Sequence, residues 1–218
     1  MSGDRGIKVI LLGESGVGKT NLIRVAMGKN FDPNENSTLT SSFFEEQIAI
    51  NNKNYLYCLW DTAGQEAYRS LNKIFIKEAK IVIIVFAINF QYSFEQIDFW
   101  INYTKDILGD DNYILALVGN KADLYESQQI SDEEIKKKVD ELKIKYKLTS
   151  ASEDSLGFKE FLNDLLKDYI DKFGASEIKE EKDEPFKIEK EKTEDNNGDN
   201  KNQNNNGKKK CCWIIIIL

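Results

Sequence analysis

Gly13-Glu14-Ser15-Gly16-Val17-Gly18-Lys19-Thr20 follows the apolar run Ile7-Lys8-Val9-Ile10-Leu11-Leu12 and opens a stretch, Lys19 to Met27, that reads as a helix. The octapeptide fits G-x4-G-K-[ST] without a mismatch, in the strand-to-helix context that this pattern requires. Glycines at such positions let successive backbone N–H groups wrap an anion, and the helix N-terminus adds a favourable dipole. Ser15, Gly16, Val17 and Gly18 are therefore candidate phosphate-binding positions. Lys19 is placed to reach β- and γ-phosphates, and the Thr20 hydroxyl to bind magnesium. The bland alternative is a glycine-rich turn with a solvated lysine, which the complete fit disfavours.

Outward from this loop the chain alternates between two kinds of pattern. Phe43 to Ile50 and Tyr55 to Trp60 are strand-like runs joined by the turn residues Asn51-Asn52-Lys53-Asn54. Ile81 to Ile88 and Tyr113 to Val118 are nearly continuous apolar strands, as expected where both faces of a parallel sheet are covered. A shorter strand-like run covers Ile144 to Leu148. Helical patterns occupy Ser93 to Leu108, Ser131 to Leu142 and Leu156 to Phe173. The expectation is an α/β fold: a doubly wound, mostly parallel sheet with one antiparallel hairpin, flanked by helices. Ligands of such sheets bind at the carboxyl ends of the strands. Three further motifs fall at such ends.

Asp61-Thr62-Ala63-Gly64-Gln65 follows the strand ending at Trp60. An acidic side chain there can hold magnesium through water, Gly64 can offer its N–H to a γ-phosphate, and Gln65 is placed to orient an attacking water. A plain strand-end turn is the alternative. Asn120, Lys121 and Asp123 stand after Leu115-Ala116-Leu117-Val118. A carboxylate accepts two N–H bonds from guanine, where adenine would present an acceptor. Charge-assisted bonds of this kind contribute about 1.5–3 kcal/mol each. Thr149-Ser150-Ala151 follows the short strand, and a backbone N–H there can bond guanine O6.

Composition narrows the field. The chain has 218 residues, enough for one sizeable core, and no histidine, so imidazole bases, histidine metal ligands and histidine pH switches are excluded. A net charge of −7 argues against nucleic-acid binding. The cysteines are Cys58, Cys211 and Cys212, which gives no disulfide framework, and no secretory signal is recognisable; a reducing cytosol is expected. No apolar run approaches the roughly 20 residues that span a bilayer. After Phe173 the composition turns to Lys, Glu, Asp and Asn. The expected organisation is a folded domain over 1–173, a disordered linker over 174–210 and a membrane-targeting tail over 211–218.

GESGVGKT, Thr38, WDTAGQE, NKAD and TSA resemble, in order, the five nucleotide-binding motifs of Ras-superfamily GTPases, over about residues 6 to 173. That resemblance implies a P-loop fold with a six-stranded sheet, five strands parallel, and five flanking helices. It also implies GTP hydrolysis to GDP with Mg²⁺, catalytic roles for Gln65, Lys19 and Thr38, and magnesium ligation by Thr20, Thr38 and Asp61. Phe31, eleven positions after Thr20, matches the aromatic that packs on guanine; Thr38, seven further on, matches the magnesium and γ-phosphate ligand of the first switch. WDTAGQE followed by Tyr68-Arg69-Ser70-Leu71 is more similar to Rab than to Ras, Rho or Arf proteins. Phe43, Trp60 and Phe75 fall where Rabs carry an aromatic triad that effectors read. Ser37 to Phe43 is similar to endosomal Rabs. Thr40, Ala67, Ala87 and Ser152 depart from the family pattern; Ser152 replaces a lysine of the last base-binding motif.

Cys211 and Cys212 resemble the lipidated cysteine pair of Rab tails, preceded by Lys208-Lys209-Lys210 and followed by the apolar Trp213 to Leu218. A C-a-a-X signal is excluded, because Ile215 stands fourth from the end. Prenylation and palmitoylation both remain open. The partners implied are a GTPase-activating protein, an exchange factor, an escort or GDI-type chaperone and effectors. A monomer on the cytosolic face of endosomal or other vesicle membranes is expected. Two rival readings are a nucleotide-binding scaffold that does not cycle, and a P-loop kinase or ATPase acting on a small substrate.

Overall fold

The computed structural model describes residues 6–35, 42–61, 69–154 and 156–177. Its elements are β1 (Ile7–Leu12), α1 (Lys19–Ala26), β2 (Ser42–Ile50), β3 (Lys53–Asp61), α2 (Arg69–Ile76), β4 (Ile81–Ala87), α3 (Gln91–Glu95), α4 (Ile97–Leu108), β5 (Ile114–Asn120), α5 (Asp132–Leu142), β6 (Lys145–Leu148) and α6 (Gly157–Glu177). The six strands form one sheet in the order β2-β3-β1-β4-β5-β6. β2 and β3 pair antiparallel, and every other neighbour pair is parallel. This is the doubly wound architecture expected from the alternation of patterns.

The apolar runs have their cause in the two layers that cover the sheet. In β4 every residue is buried. Ile81, Ile83 and Val85 face a layer with Leu22 and Ile23 of α1 and Leu162, Leu165 and Leu166 of α6. Val82, Ile84 and Phe86 face the opposite layer, with Ile76, Ile97, Ile101 and Ile135 of α2, α4 and α5. Alternate side chains thus enter different cores, and no position of the strand is left for a polar residue. Each such side chain contributes about 1.5–3 kcal/mol by leaving water.

Local details differ from the expected boundaries. The hairpin turn is two residues, Asn51 and Asn52, with φ of 52° and 62°, while Lys53 and Asn54 already belong to β3. Two successive left-handed residues match the right-handed twist of the flanking strands, and asparagine tolerates them. The helix expected over Ser93 to Leu108 is two helices, meeting at Gln96 with φ −83° and ψ −1°. In the first of them the buried Ser93 hydroxyl donates to Phe90 O at 2.6 Å and accepts from the Ala87 N–H at 3.1 Å. Among the described residues the extra short helix makes six α-helices, where the resemblance implies five. α6 runs to Glu177, four residues beyond Phe173. Extending a formed helix fixes few dihedrals per added hydrogen bond, so it outlasts the apolar pattern. Cys211 and Cys212 lie outside the described residues, and among those described no helix is long and apolar enough to cross a membrane.

Candidate nucleotide site

A cleft of about 400 Å³ opens where β1 and β5 end, beside the loop that follows β6. Its floor is the loop from Gly13 to Thr20. Gly13, at φ +143°, has no room for a side chain: a Cβ would lie 2.1 Å from Val85 O. The loop is thereby seated on β4. Gly18, at φ +96°, leads into α1, and a Cβ there would strike Asn120 Nδ2 at 2.3 Å. Ser15, Gly16, Gly18, Lys19 and Thr20 line the cleft. Val17 does not; its side chain is buried in the core below.

The Lys19 ammonium is buried and donates to the carbonyls of Gly13 at 2.8 Å and Glu14 at 2.9 Å. Burial draws its pKa down to about 8, against the opposing attraction of Asp61 and Glu14. Asp61, at the end of β3, is 1% exposed. Burial pushes its carboxyl up to about 6, although the Thr20 hydroxyl donates to it and Lys19 is near. Asp61 Oδ1 is buried without a hydrogen-bond partner. A buried carboxylate oxygen beside a threonine hydroxyl suits a hard, oxygen-seeking cation. Among the described residues no group of three acidic, cysteine or histidine side chains could hold a metal alone. Magnesium does not need one, since it typically keeps waters and takes phosphate oxygens beside one or two protein ligands. The residues present therefore fit that ion.

The far wall comes from β5 and the loop after β6. Asn120 is 1% exposed. Its Nδ2 donates to Val17 O at 2.8 Å, and its Oδ1 accepts from the Ala151 N–H at 3.2 Å. It joins three segments far apart in sequence. Lys121, at φ 65°, turns the chain so that Asp123 enters the cleft wall. The Ser150 hydroxyl donates to Asp123 Oδ1 at 2.6 Å and accepts from the Glu153 N–H at 3.1 Å. Ser150 thus sits behind the carboxylate, while Ala151 and Ser152 line the cleft itself. Ser152 Oγ lies 3.1 Å from Ser150 Oγ. Phe31, 39% exposed, borders the cleft on the loop after α1.

Asn21 is a cleft residue that no motif marks. Its side chain donates to Asp32 O at 2.9 Å and accepts from the Asp32 N–H at 3.0 Å, fixing the loop that carries Phe31. An asparagine in the first turn of a helix, where it is a weak helix former, was the available signal. Asp32, Pro33, Glu35 and Leu124 also line the cleft without having been expected there. Thr38, Gly64 and Gln65 lie outside the described residues. Phe43, Trp60 and Phe75 come together away from the cleft: Phe43 and Trp60 are register partners stacked at 5.2 Å, and Phe75 of α2 lies 5.7 Å from Trp60.

The model of the Ras family matches residues 8–171. The chain is 37% identical over 160 residues to the Ras-related protein Rab-21 of Geodia cydonium, covering 73% of this chain and 69% of that one. It is 37% identical over 152 residues to the Ras-related protein RABF2a of Arabidopsis thaliana, covering 69% and 76%. The Ras-related protein Rab-22A of Canis lupus familiaris is 33% identical over 147 residues, covering 67% and 75%. With the six-stranded sheet and the cleft at its strand ends, these matches establish that the chain belongs to the Ras superfamily of small GTPases, in its Rab family.

Proposed function

We propose that this GTPase is a Rab-type switch of vesicle-mediated membrane traffic, whose cleft binds GTP or GDP with magnesium and whose GTP state binds effectors. The observation that supports this most is one cleft lined by both the Gly13–Thr20 loop and Asp123, with Asn120 hydrogen-bonded between them. A phosphate-wrapping loop and a carboxylate suited to guanine then act on the two ends of a single ligand.

On this reading the backbone N–H groups from Ser15 to Thr20 hold the phosphates, and the Lys19 ammonium neutralises their charge. Phe31 covers one face of the base. Asp123, held by Ser150, accepts from the guanine edge, Asn120 and Lys121 shape that wall, and the Ala151 N–H side of the loop faces O6. Thr20 and Asp61, with Thr38, are the residues that would hold magnesium, which supplies charge neutralisation on the phosphate oxygens. Gln65 orients the attacking water and the Gly64 N–H meets the γ-phosphate. An arginine from a GTPase-activating partner supplies the remaining transition-state charge, an effect of about 10³- to 10⁵-fold. Phe43, Trp60 and Phe75 form the effector face; an exchange factor and a GDI-type chaperone complete the cycle. Lipidation of Cys211 and Cys212 holds the chain on the cytosolic side of vesicle membranes, endosomal ones by the likeness of Ser37 to Phe43.

The test is Asp123→Asn. An amide presents a donor where guanine also donates, so GTP affinity falls by ten-fold or more, at about 1.4 kcal/mol per decade. Xanthosine triphosphate, with an acceptor oxygen at the matching place, gains affinity. Unchanged GTP affinity in direct competition removes Asp123 from the base site.

A further inference from the structure

Glu14 is a member of the phosphate loop to which neither the motif nor the reading above gives a use. Its side chain is 1% exposed. Oε1 accepts from the indole N–H of Trp100 at 3.1 Å, across 86 residues of chain. Trp100 lies on α4, 4% exposed, with the rings of Phe99 and Tyr103 edge-on at 5.3 and 6.1 Å. The main-chain carbonyl of the same Glu14 accepts from Lys19 Nζ at 2.9 Å. A buried carboxylate is costly unless it is hydrogen-bonded and faces a cation. Glu14 accepts one such bond, through Oε1, and also attracts the Lys19 ammonium electrostatically. One residue thus connects a rigid helix to the loop's cation, by its side chain on one side and its backbone on the other.

We propose that Trp100 is a positioning residue for the phosphate site: its bond to Glu14 anchors the loop to α4, and nucleotide retention depends on that bond. Trp100 does not line the cleft, so its effect passes through Glu14. The proposal rests on the cleft being the nucleotide site.

Release of a fluorescent GDP analogue into excess GDP, with magnesium present, tests it on the full chain. Trp100→Phe keeps a ring in place but removes the N–H, leaving Glu14 Oε1 without that donor. Loss of a hydrogen bond to a buried charge corresponds to release about ten-fold faster or more. Glu14→Gln keeps an acceptor oxygen for the indole, and its release is accelerated less than that of Glu14→Ala. Thr104→Val separates positioning from simple loosening of the helix. The Thr104 hydroxyl is buried and donates to Trp100 O at 2.8 Å, so its loss lowers the melting temperature yet leaves the indole bond and the release rate alone. Wild-type release from Trp100→Phe overturns the proposal, as does equal acceleration by Thr104→Val. Lys19→Ala distinguishes the two layers of inference: its failure to hold GDP supports the cleft reading on which the proposal stands, while full retention of GDP overturns that reading and the proposal with it.

Discussion

Replacing Asn120 by alanine removes two buried contacts at once, the Nδ2 bond to Val17 O and the Oδ1 bond from the Ala151 N–H. A buried polar group left unsatisfied costs about 1–3 kcal/mol, so two of them bracket the loss at about 2–6 kcal/mol. Water entering from the adjoining cleft recovers part of this and favours the lower half, about 3 kcal/mol. How that loss divides is the informative point. If the clamp served only the fold, the whole of it would lower the melting temperature, by about 6–12 °C for a chain of this size. The clamp instead joins the loop under the phosphates to the loop beside the base. Without it these walls relax in the free protein, and the nucleotide must order them again on binding. GDP affinity is therefore expected to fall by 30-fold or more, the equivalent of about 2 kcal/mol. Equilibrium titration of a fluorescent GDP analogue, alongside melting in saturating nucleotide, reads both quantities. An unchanged dissociation constant with a lowered melting temperature would refute the argument and reduce Asn120 to a core contact.

Three other outcomes follow from the same reading. Gln65→Leu leaves GTP affinity near that of the wild type but slows single-turnover hydrolysis, most visibly with an activating partner; unaltered rates would remove Gln65 from water positioning. Cys211→Ser with Cys212→Ser moves most of the protein into the soluble fraction, because three lysines offer only about 3 kcal/mol on an anionic leaflet, far less than two isoprenoid chains at about 0.8 kcal/mol per buried CH₂; intact-mass measurement shows whether a lipid was there. Ser131→Ala removes the cap of α5, whose hydroxyl accepts from the Glu134 N–H, and lowers the melting temperature by about 2–4 °C. Bonds from Ser131 hold the Glu134 carboxyl below its ordinary value of 4.5. A depressed carboxyl stabilises the fold above its unfolded pKa and loses that contribution as pH falls through the folded one. The Ser131 backbone N–H, the larger cause, survives in Ser131→Ala, so only the hydroxyl's share is lost, and the gap between wild type and variant in melting scans narrows slightly in acid.

The central strands and the phosphate loop were legible because their constraints, although set by distant neighbours, leave a mark in consecutive residues. Ile81 to Ala87 must be apolar throughout when helices cover both faces, and Gly13 and Gly18 must be glycine where backbone and Asn120 press against them. Other features depend on neighbours that no local pattern reveals. The motif places Asn120 at the base, yet its side chain reaches back 103 residues to bond Val17 O. Glu14 occupies an unspecified position of the motif, and its partner Trp100 lies 86 residues away. The short helix before α4 carries a buried Ser93 that folds back onto Phe90 and Ala87, and α6 continues to Glu177, past the last large apolar side chain of its pattern.

The position of Asn120 also constrains how the protein is made. Its three tethered segments emerge from the ribosome far apart in time, and Ala151, the last of them, follows Val17 by 134 residues. Closing loops of that length carries an entropic cost that nothing local offsets. A nascent chain that has displayed its whole phosphate loop therefore still lacks a nucleotide pocket. Occupancy begins only when β5 and β6 have joined the sheet, so the ligand stabilises finished domains and not partial ones, in proportion to its concentration over its dissociation constant.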